Sequence, residues 1–336
     1  MIIYTPAKPA RSVPIVDFSG ALSGKREERA QVAEAIHRAC RDIGFFYLAN
    51  HGVSAGLVEQ AFTSARTFFA LPDETKKTFD MRRSPSNAGY EPIGGQQLDS
   101  QDAGSEKSPP DLKESFYIGM ELADDHAWSV RRIRNYGHNQ WPPAPADFRA
   151  TMVEYYAAVR ALGDRVLAML ALSLALEEDW FEPHFEMASA TLRLIHYPPH
   201  PQDAAFNQIG AGAHTDWGGI TLLAQDDAGG LEVRNLAGEW IAAPPVPGTF
   251  VVNLGDLMAR WTNGVYASNM HRVINNRNVR QDRYSMAFFL GPRPDVCIEP
   301  MPGCVASDRP QIYPVCTAAD HMREMFERSY GFSPAS

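Results

Sequence analysis

After Ala190 the chain breaks into short apolar runs, at 191–197, 220–225, 231–234, 240–243, 249–254, 271–274 and 284–290, separated by glycine, asparagine and proline. Short runs punctuated at regular intervals by turn residues are what a β-sandwich or barrel requires. This stretch constrains the fold most: the expectation is a mainly β protein.

The preceding residues follow a helical pattern instead. Val32, Ile36, Ala39, Cys40 and Ile43 recur at helical intervals over 27–43, and Gly44 supplies the stop. A second helix is expected over 54–70, and a long one over 145–176 with Phe148, Met152, Val159, Leu162, Val166 and Leu170 on its buried side. A closing helix is expected over 317–330. Alternation at Val16 and Phe18 predicts a short strand in 13–18, and 45–48 (FFYL) reads as a buried strand. The stretch 94–113 is polar, contains Gly and Pro, and lacks periodicity, which predicts a long loop without apolar anchors of its own. With the closing helix, it is expected to flank the mouth of the barrel as a lid. No repeat or low-complexity tract points to a solenoid.

At 336 residues, with 45% apolar and 21% charged side chains, the chain can bury a sizeable core and falls in the soluble globular class. Forty acidic residues against 31 basic ones, with no Lys/Arg run, argue against a nucleic-acid partner. The four cysteines include no CxxC pair, which fits a reducing cytoplasm rather than a disulfide framework. Pro6 interrupts the N-terminal apolar residues, and the longest apolar run, 166–176, is too short to span a bilayer, so neither an export signal nor a membrane helix is expected. The oligomeric state has no signature in the sequence.

The chemistry sits at strand edges. His214 and Asp216 are an i, i+2 pair in AGAHTDWGG, and in extended chain such a pair points the same way. His271, 55 positions after Asp216 in SNMHRV, can be delivered by a distant strand. Two imidazoles and one carboxylate on one face of an octahedron leave three positions open, which suits ferrous iron. An HxD alone arises easily by chance in a chain with ten histidines and 40 acidic residues. What raises it is a second i, i+2 pair, Arg283 and Ser285 in RYS, about a dozen residues after His271. The planar fork of Arg and the hydroxyl of Ser suit the far carboxylate of a dicarboxylate whose near end chelates the metal. The same donor set would also fit a zinc hydrolase, or a catalytically silent module that binds a small ligand.

In HxD, the distant H and RxS, together with VPIVDFS, DIGFFYLANHGVS, NAGYEP, HYPP and VVNLGD, the sequence resembles the isopenicillin N synthase-like branch of the iron(II) and 2-oxoglutarate-dependent oxygenases, over about 13–330. The resemblance implies a double-stranded β-helix (jelly-roll) core at 190–292 with flanking helices. Around it lie an N-terminal α/β region (1–120), a connecting helical region (121–189) and a C-terminal extension (293–336). It implies iron bound by His214, Asp216 and His271, and 2-oxoglutarate bound by Arg283 and Ser285. Tyr197, before Pro198, matches the tyrosine that in many relatives also reaches the cosubstrate, although Ile195 stands where many plant relatives have asparagine.

The implied reaction uses dioxygen, oxidises a C–H bond of a small organic molecule, most simply by hydroxylation, and releases succinate and carbon dioxide. The alternative within the fold is an oxidase that draws electrons from its substrate or from ascorbate, as 1-aminocyclopropane-1-carboxylate oxidase does. Other residues take plainer readings. His51 is a turn or core histidine, His184, His196 and His200 form no second site, Trp217 divides evenly between substrate contact and packing, and Asn253 and Asp256 set a turn.

Overall fold

The computed structural model describes residues 11–98, 109–201, 204, 208–274 and 281–330. Early strands are β1 (Ile15–Asp17), β2 (Phe45–Ala49), β3 (Gly89–Glu91), β4 (Glu114–Ile118) and the short parallel pair β5 (Met120–Glu121) and β6 (Tyr136–Gly137). Later ones are β7 (Ser189–Tyr197), β8 (Ala211–His214), β9 (Ile220–Gln225), β10 (Leu231–Arg234), β11 (Trp240–Ala242), β12 (Phe250–Leu254), β13 (His271–Val273) and β14 (Arg283–Gly291). Eight of them form one sheet in the order β1-β2-β12-β9-β14-β7-β4-β3, and four form another in the order β11-β10-β13-β8. All neighbours in these two sheets are antiparallel except β1 and β2.

Side-chain alternation divides the large sheet into two faces. Leu192, Leu194, Leu222, Val252, Met286, Phe288 and Leu290 share a core with Val159, Leu162, Val166 and Leu170 of the helix Phe148–Ser173, and with residues of the helices Arg26–Asp42 and Ala55–Phe69. Gly163 lets that long helix approach the sheet, because a Cβ there would lie 2.7 Å from Leu290 Cδ2. On the other face Tyr47, Ile195, Tyr197, Val251 and Ala287 meet Ala211, Leu231, Val233 and Val273 of the small sheet, so the two sheets face one another across a second core. That inner face is where the functional side chains lie.

The strands expected after Ala190 are present, with ends within two residues of those read from the sequence. Gly44 does end the first helix, in a left-handed conformation (φ 70°) with its amide donating to the Ala39 carbonyl. The sequence reading passed over β8, whose AGAH is short and carries little apolar signal, and also over β3 and β4. Asn253 lies inside β12, and Asp256 opens the helix Asp256–Trp261, so the expected turn is confined to Gly255.

The loop expected to lack anchors is anchored at both described ends, since Leu98 and Leu112 are buried and so are Asp111 and Lys113. Residues 99–108 of that expectation lie outside the described residues. The closing helix, Ala318–Tyr330, is docked on the protein through buried Ala318, His321 and Met325. Among the described residues no helix is long and apolar enough to cross a membrane.

Docking of the closing helix has a pH signature. Burial pushes His321 down from 6.5 to about 4, although its ring hydrogen-bonds to the backbone of Trp217. The unfolded chain therefore takes up a proton near pH 6.5 that the folded chain refuses until about 4. Stability from this group is complete above pH 6.5 and is lost as the pH falls through that window, by up to about 3 kcal/mol. Urea midpoints at pH 7.5 and 4.5 should differ less in His321→Phe than in the wild type, and an unchanged difference would refute this origin.

Candidate active site

Strands β8 and β13 pair with His214 directly opposite His271, and their rings stand 4.2 Å apart between centroids. Asp216 follows two residues beyond β8, and its Oδ1 lies 3.8 Å from His271 Nε2. One donor atom from each of the three residues lies within 4.8 Å of the others, and among the described residues no other His/Cys/Asp/Glu group does this. The donors are prepared for a cation. His214 Nδ1 lies 2.7 Å from the Gly212 carbonyl, a contact that fixes the proton there and leaves Nε2 with its lone pair. Burial and the neighbouring His271 push His214 down to about 3, so the ring is neutral, the form that binds metal. Burial alone would raise Asp216, but the two imidazoles and hydrogen bonds from Asn253 and Thr221 outweigh it and hold the carboxyl below its ordinary value.

The residues behind the triad explain why this short segment keeps its shape. Asn253 Nδ2 and Thr221 Oγ1 donate to Asp216 Oδ2 at 2.7 and 2.5 Å, leaving Oδ1 as the oxygen turned toward His271. The Asp256 amide donates to the Asp216 carbonyl at 2.8 Å. Its carboxylate accepts from Thr215 Oγ1 at 3.0 Å and from Ser268 Oγ at 2.6 Å, tying the HTD turn to the chain that leads into His271. Asp111 Oδ1 accepts from the Gly212 amide at 3.0 Å, and Lys113 pairs with the same carboxylate. Gly255 cannot be enlarged, because a Cβ would lie 2.3 Å from the Gly218 carbonyl and 2.9 Å from that of Asp216.

Since Asp256 spans both arms, Asp256→Ala should weaken metal binding about 10- to 100-fold, the usual penalty for losing an outer hydrogen-bond partner. Asp256→Asn should lose less. Titration of the metal-free protein with Co(II), followed by visible absorption, measures both, and wild-type affinity in Asp256→Ala would remove the residue from the site.

Arg283 and Ser285 emerge on the inner face of β14, buried to 5% and 1% exposure. The guanidinium donates from Nε to the Gly229 carbonyl at 2.6 Å, and to Ser285 Oγ and Gln225 Oε1 at 3.2 and 3.1 Å. It lies 4.7 Å above the ring centroid of Tyr197, its register partner on β7. The structure thus brings together all six residues singled out in the sequence on one interior surface, as two clusters: His214, Asp216 and His271, and Arg283, Ser285 and Tyr197.

Sequence reasoning missed Thr221, Gln225, Asn253, Asp256 and Asp111. For Asn253 and Asp256 the signal was there, in a polar pair closing an apolar strand, but turn propensity absorbed it. His51 Nδ1 accepts from the Val53 amide, as a turn histidine would, and His196 sits between Glu114 and Asp282.

A double-stranded β-helix with two histidines and an aspartate facing its interior is the class that fold and site define. Its first part, residues 13–144, matches the family model described as the N-terminal region of a non-haem dioxygenase in morphine synthesis. Residues 188–292 match the 2OG-Fe(II) oxygenase superfamily. The chain belongs to that superfamily, and it is an oxidoreductase that uses Fe(II), 2-oxoglutarate and dioxygen.

It is 40% identical over 328 residues to the 2-oxoglutarate-Fe(II) type oxidoreductase hxnY of Emericella nidulans, covering 96% of this chain and 91% of the relative. It is 36% identical over 307 residues to a homoarginine-6-hydroxylase of Arabidopsis thaliana, covering 88% and 89%. Among solved structures, a 2OG-Fe(II) oxygenase family protein of Caulobacter crescentus superimposes with a TM-score of 0.79 at 32% identity, covering 95% of this chain and 99% of that one.

Proposed function

We propose that His214, Asp216 and His271 hold the ferrous iron of this oxygenase, and that Arg283 and Ser285, beside the Tyr197 ring, receive the distal carboxylate of 2-oxoglutarate. The reaction is oxidation of a C–H bond of a small organic molecule, most simply hydroxylation, with release of succinate and carbon dioxide. The observation that carries the reading is a buried, fork-shaped cation opening onto the same interior as the triad. When bound, the iron and the oxo acid together supply the electrons that reduce dioxygen.

The chain's own residues do the arranging. The Gly212 carbonyl holds the His214 proton on Nδ1, and Asn253 and Thr221 keep Asp216 ionised with one oxygen committed. Gly229, Gln225 and Ser285 fix the plane of the Arg283 fork, so the cosubstrate acid meets a preorganised partner. The apolar inner core around Ile195, Val251 and Ala287 keeps water away from the reacting atoms. We also place the catalytic core at 190–292, with 1–120, 121–189 and 293–336 as its surroundings. Four free thiols support a reducing, cytoplasmic setting.

The test is oxygen uptake and succinate formation by the iron-loaded protein, with and without 2-oxoglutarate. Both should require iron and 2-oxoglutarate. Undiminished uptake without the oxo acid would favour an oxidase that draws electrons from its substrate or from ascorbate.

A further inference from the structure

Strand β8, which carries His214, is the outermost strand of the small sheet, and among the described residues its one strand neighbour is β13. Its ladder is interrupted. Val273 stands opposite Ala211 and His271 opposite His214, a step of two residues on β13 but of three on β8. Strand β8 therefore holds one extra residue, a bulge at Gly212 and Ala213. A bulge re-aims the side chains beside it and leaves backbone groups outside the ladder. This one stands immediately before His214, so whatever holds its shape decides where the His214 ring points.

The other edge of this segment is covered by the chain at 110–112. The Leu112 amide donates to the Ile209 carbonyl at 2.9 Å, and Gln208 Nε2 donates to the Pro110 carbonyl at 2.8 Å. The Gly212 amide donates to Asp111 Oδ1 at 3.0 Å, so a side chain stands where a neighbouring strand would offer a carbonyl. Gly212 is thus gripped on both sides of its α-carbon, because its carbonyl is the group 2.7 Å from His214 Nδ1. Lys113 completes the arrangement. It pairs with Asp111, both residues are only 3% exposed, and the chain runs from it directly into β4 of the large sheet. A carboxylate at that depth needs a partner, and well-packed apolar residues of similar volume would stabilise the fold as well or better. Stability alone is therefore a poor reason for the pair. An acceptor for the Gly212 amide is a better one.

We infer that Asp111 and Lys113 are positioning residues for the metal centre, acting on the iron site proposed above. They lock the β8 bulge through the Gly212 amide, so that the Gly212 carbonyl holds the His214 proton on Nδ1 and Nε2 is left to the metal. A neutral imidazole can carry its proton on either nitrogen, and the form protonated on Nε2 cannot bind a metal through that atom. Without Asp111 the carbonyl is free to turn away, and both forms become populated. The end of the polar stretch 94–113 is in this way part of the metal site.

Single substitutions would leave one buried charge unpaired, so the test uses double variants that remove both charges. Asp111→Asn with Lys113→Met keeps an oxygen for the Gly212 amide, and Asp111→Ala with Lys113→Met does not. Metal-free protein is titrated with Co(II) and followed by visible absorption. Before metal is added, the ring nitrogens of isotopically labelled histidine are observed by NMR, with His214 assigned by the loss of its signals in His214→Gln. The Asn variant should stay within about threefold of the wild-type Co(II) affinity and keep the proton on Nδ1. The Ala variant should bind Co(II) at least about tenfold more weakly and show a mixture of the two ring forms. A role confined to stability would lower the thermal midpoint and move neither readout. If the Ala variant does not fold, Asp111→Glu keeps the charge but lengthens the arm, and should weaken Co(II) binding at least about threefold.

Wild-type Co(II) affinity or an unmixed ring form in the Ala variant overturns this role, as does wild-type affinity in Asp111→Glu where that variant carries the test. An equal loss in the Asn and Ala variants also overturns it, because the effect would then lie in the charges and not in the Gly212 contact. His271→Ala, titrated alongside, reports on the ligand set. If it binds Co(II) as the wild type does, the triad falls and this role with it, whereas weakened binding there leaves the double variants to decide.

Discussion

Replacing His271 with alanine should abolish turnover and sharply weaken metal binding while leaving the metal-free protein folded. In the proposed site the residue is one of three protein donors among the described residues, so its loss would remove a coordinate bond and leave His214 and Asp216 to hold a divalent ion alone. A loss of about 4 kcal/mol corresponds to roughly a thousandfold in rate. The fold should tolerate the change because β13 is short and His271 is not part of either hydrophobic core. Its main ring neighbours are His214 and Phe45, the latter 5.5 Å away between centroids. Co(II) titration, succinate formation and the thermal midpoint of the metal-free protein measure the three effects separately. Full metal-dependent succinate formation by His271→Ala would remove the residue from the ligand set.

The second large effect is expected at Arg283. Removing a charge-assisted, two-pronged contact costs on the order of 2 to 4 kcal/mol, so Arg283→Ala should raise the 2-oxoglutarate concentration for half-maximal rate roughly 30- to 1000-fold. Arg283→Lys should recover little, since an ammonium keeps the charge but cannot reproduce the fork that now reaches Gly229, Gln225 and Ser285. Ser285→Ala should cost less than Arg283→Ala. Saturation curves at fixed iron separate a binding defect from a defect in the reaction itself. Unaltered dependence on 2-oxoglutarate in Arg283→Ala would show that the acid is held elsewhere.

How much of this was legible in the sequence depends on whether a residue's role is local. His214 and Asp216 could be paired because an i, i+2 relation needs only an extended backbone, and Arg283 and Ser285 could be paired for the same reason. The barrel was legible because short runs and turn residues alternate along the chain. Asp256 was not, because its partners Thr215 and Ser268 are 41 and 12 positions away and only the folded turn brings them together. The same holds for Asp111 and Gly212, 101 positions apart. Strand β8 escaped because AGAH has little hydrophobic pattern. Its place is set by pairing with β13 rather than by propensity. Composition predicts an unanchored loop over 94–113 because it does not show that Leu98 and Leu112 are buried.

The two-faced character of β14 bears on how such an enzyme can change over generations. Arg283, Ser285, Ala287 and Phe289 look inward, while Met286, Phe288 and Leu290 belong to the outer core. Point substitution can therefore retune one position at a time. An inserted or deleted residue within the strand would exchange the two sets at once, sending the core's phenylalanine and methionine into the reaction chamber and the buried arginine toward the helices. Descendants of this chain are thus free to alter inward-facing residues such as Ala287 and Phe289 by substitution, but length variation is confined to the connections between strands.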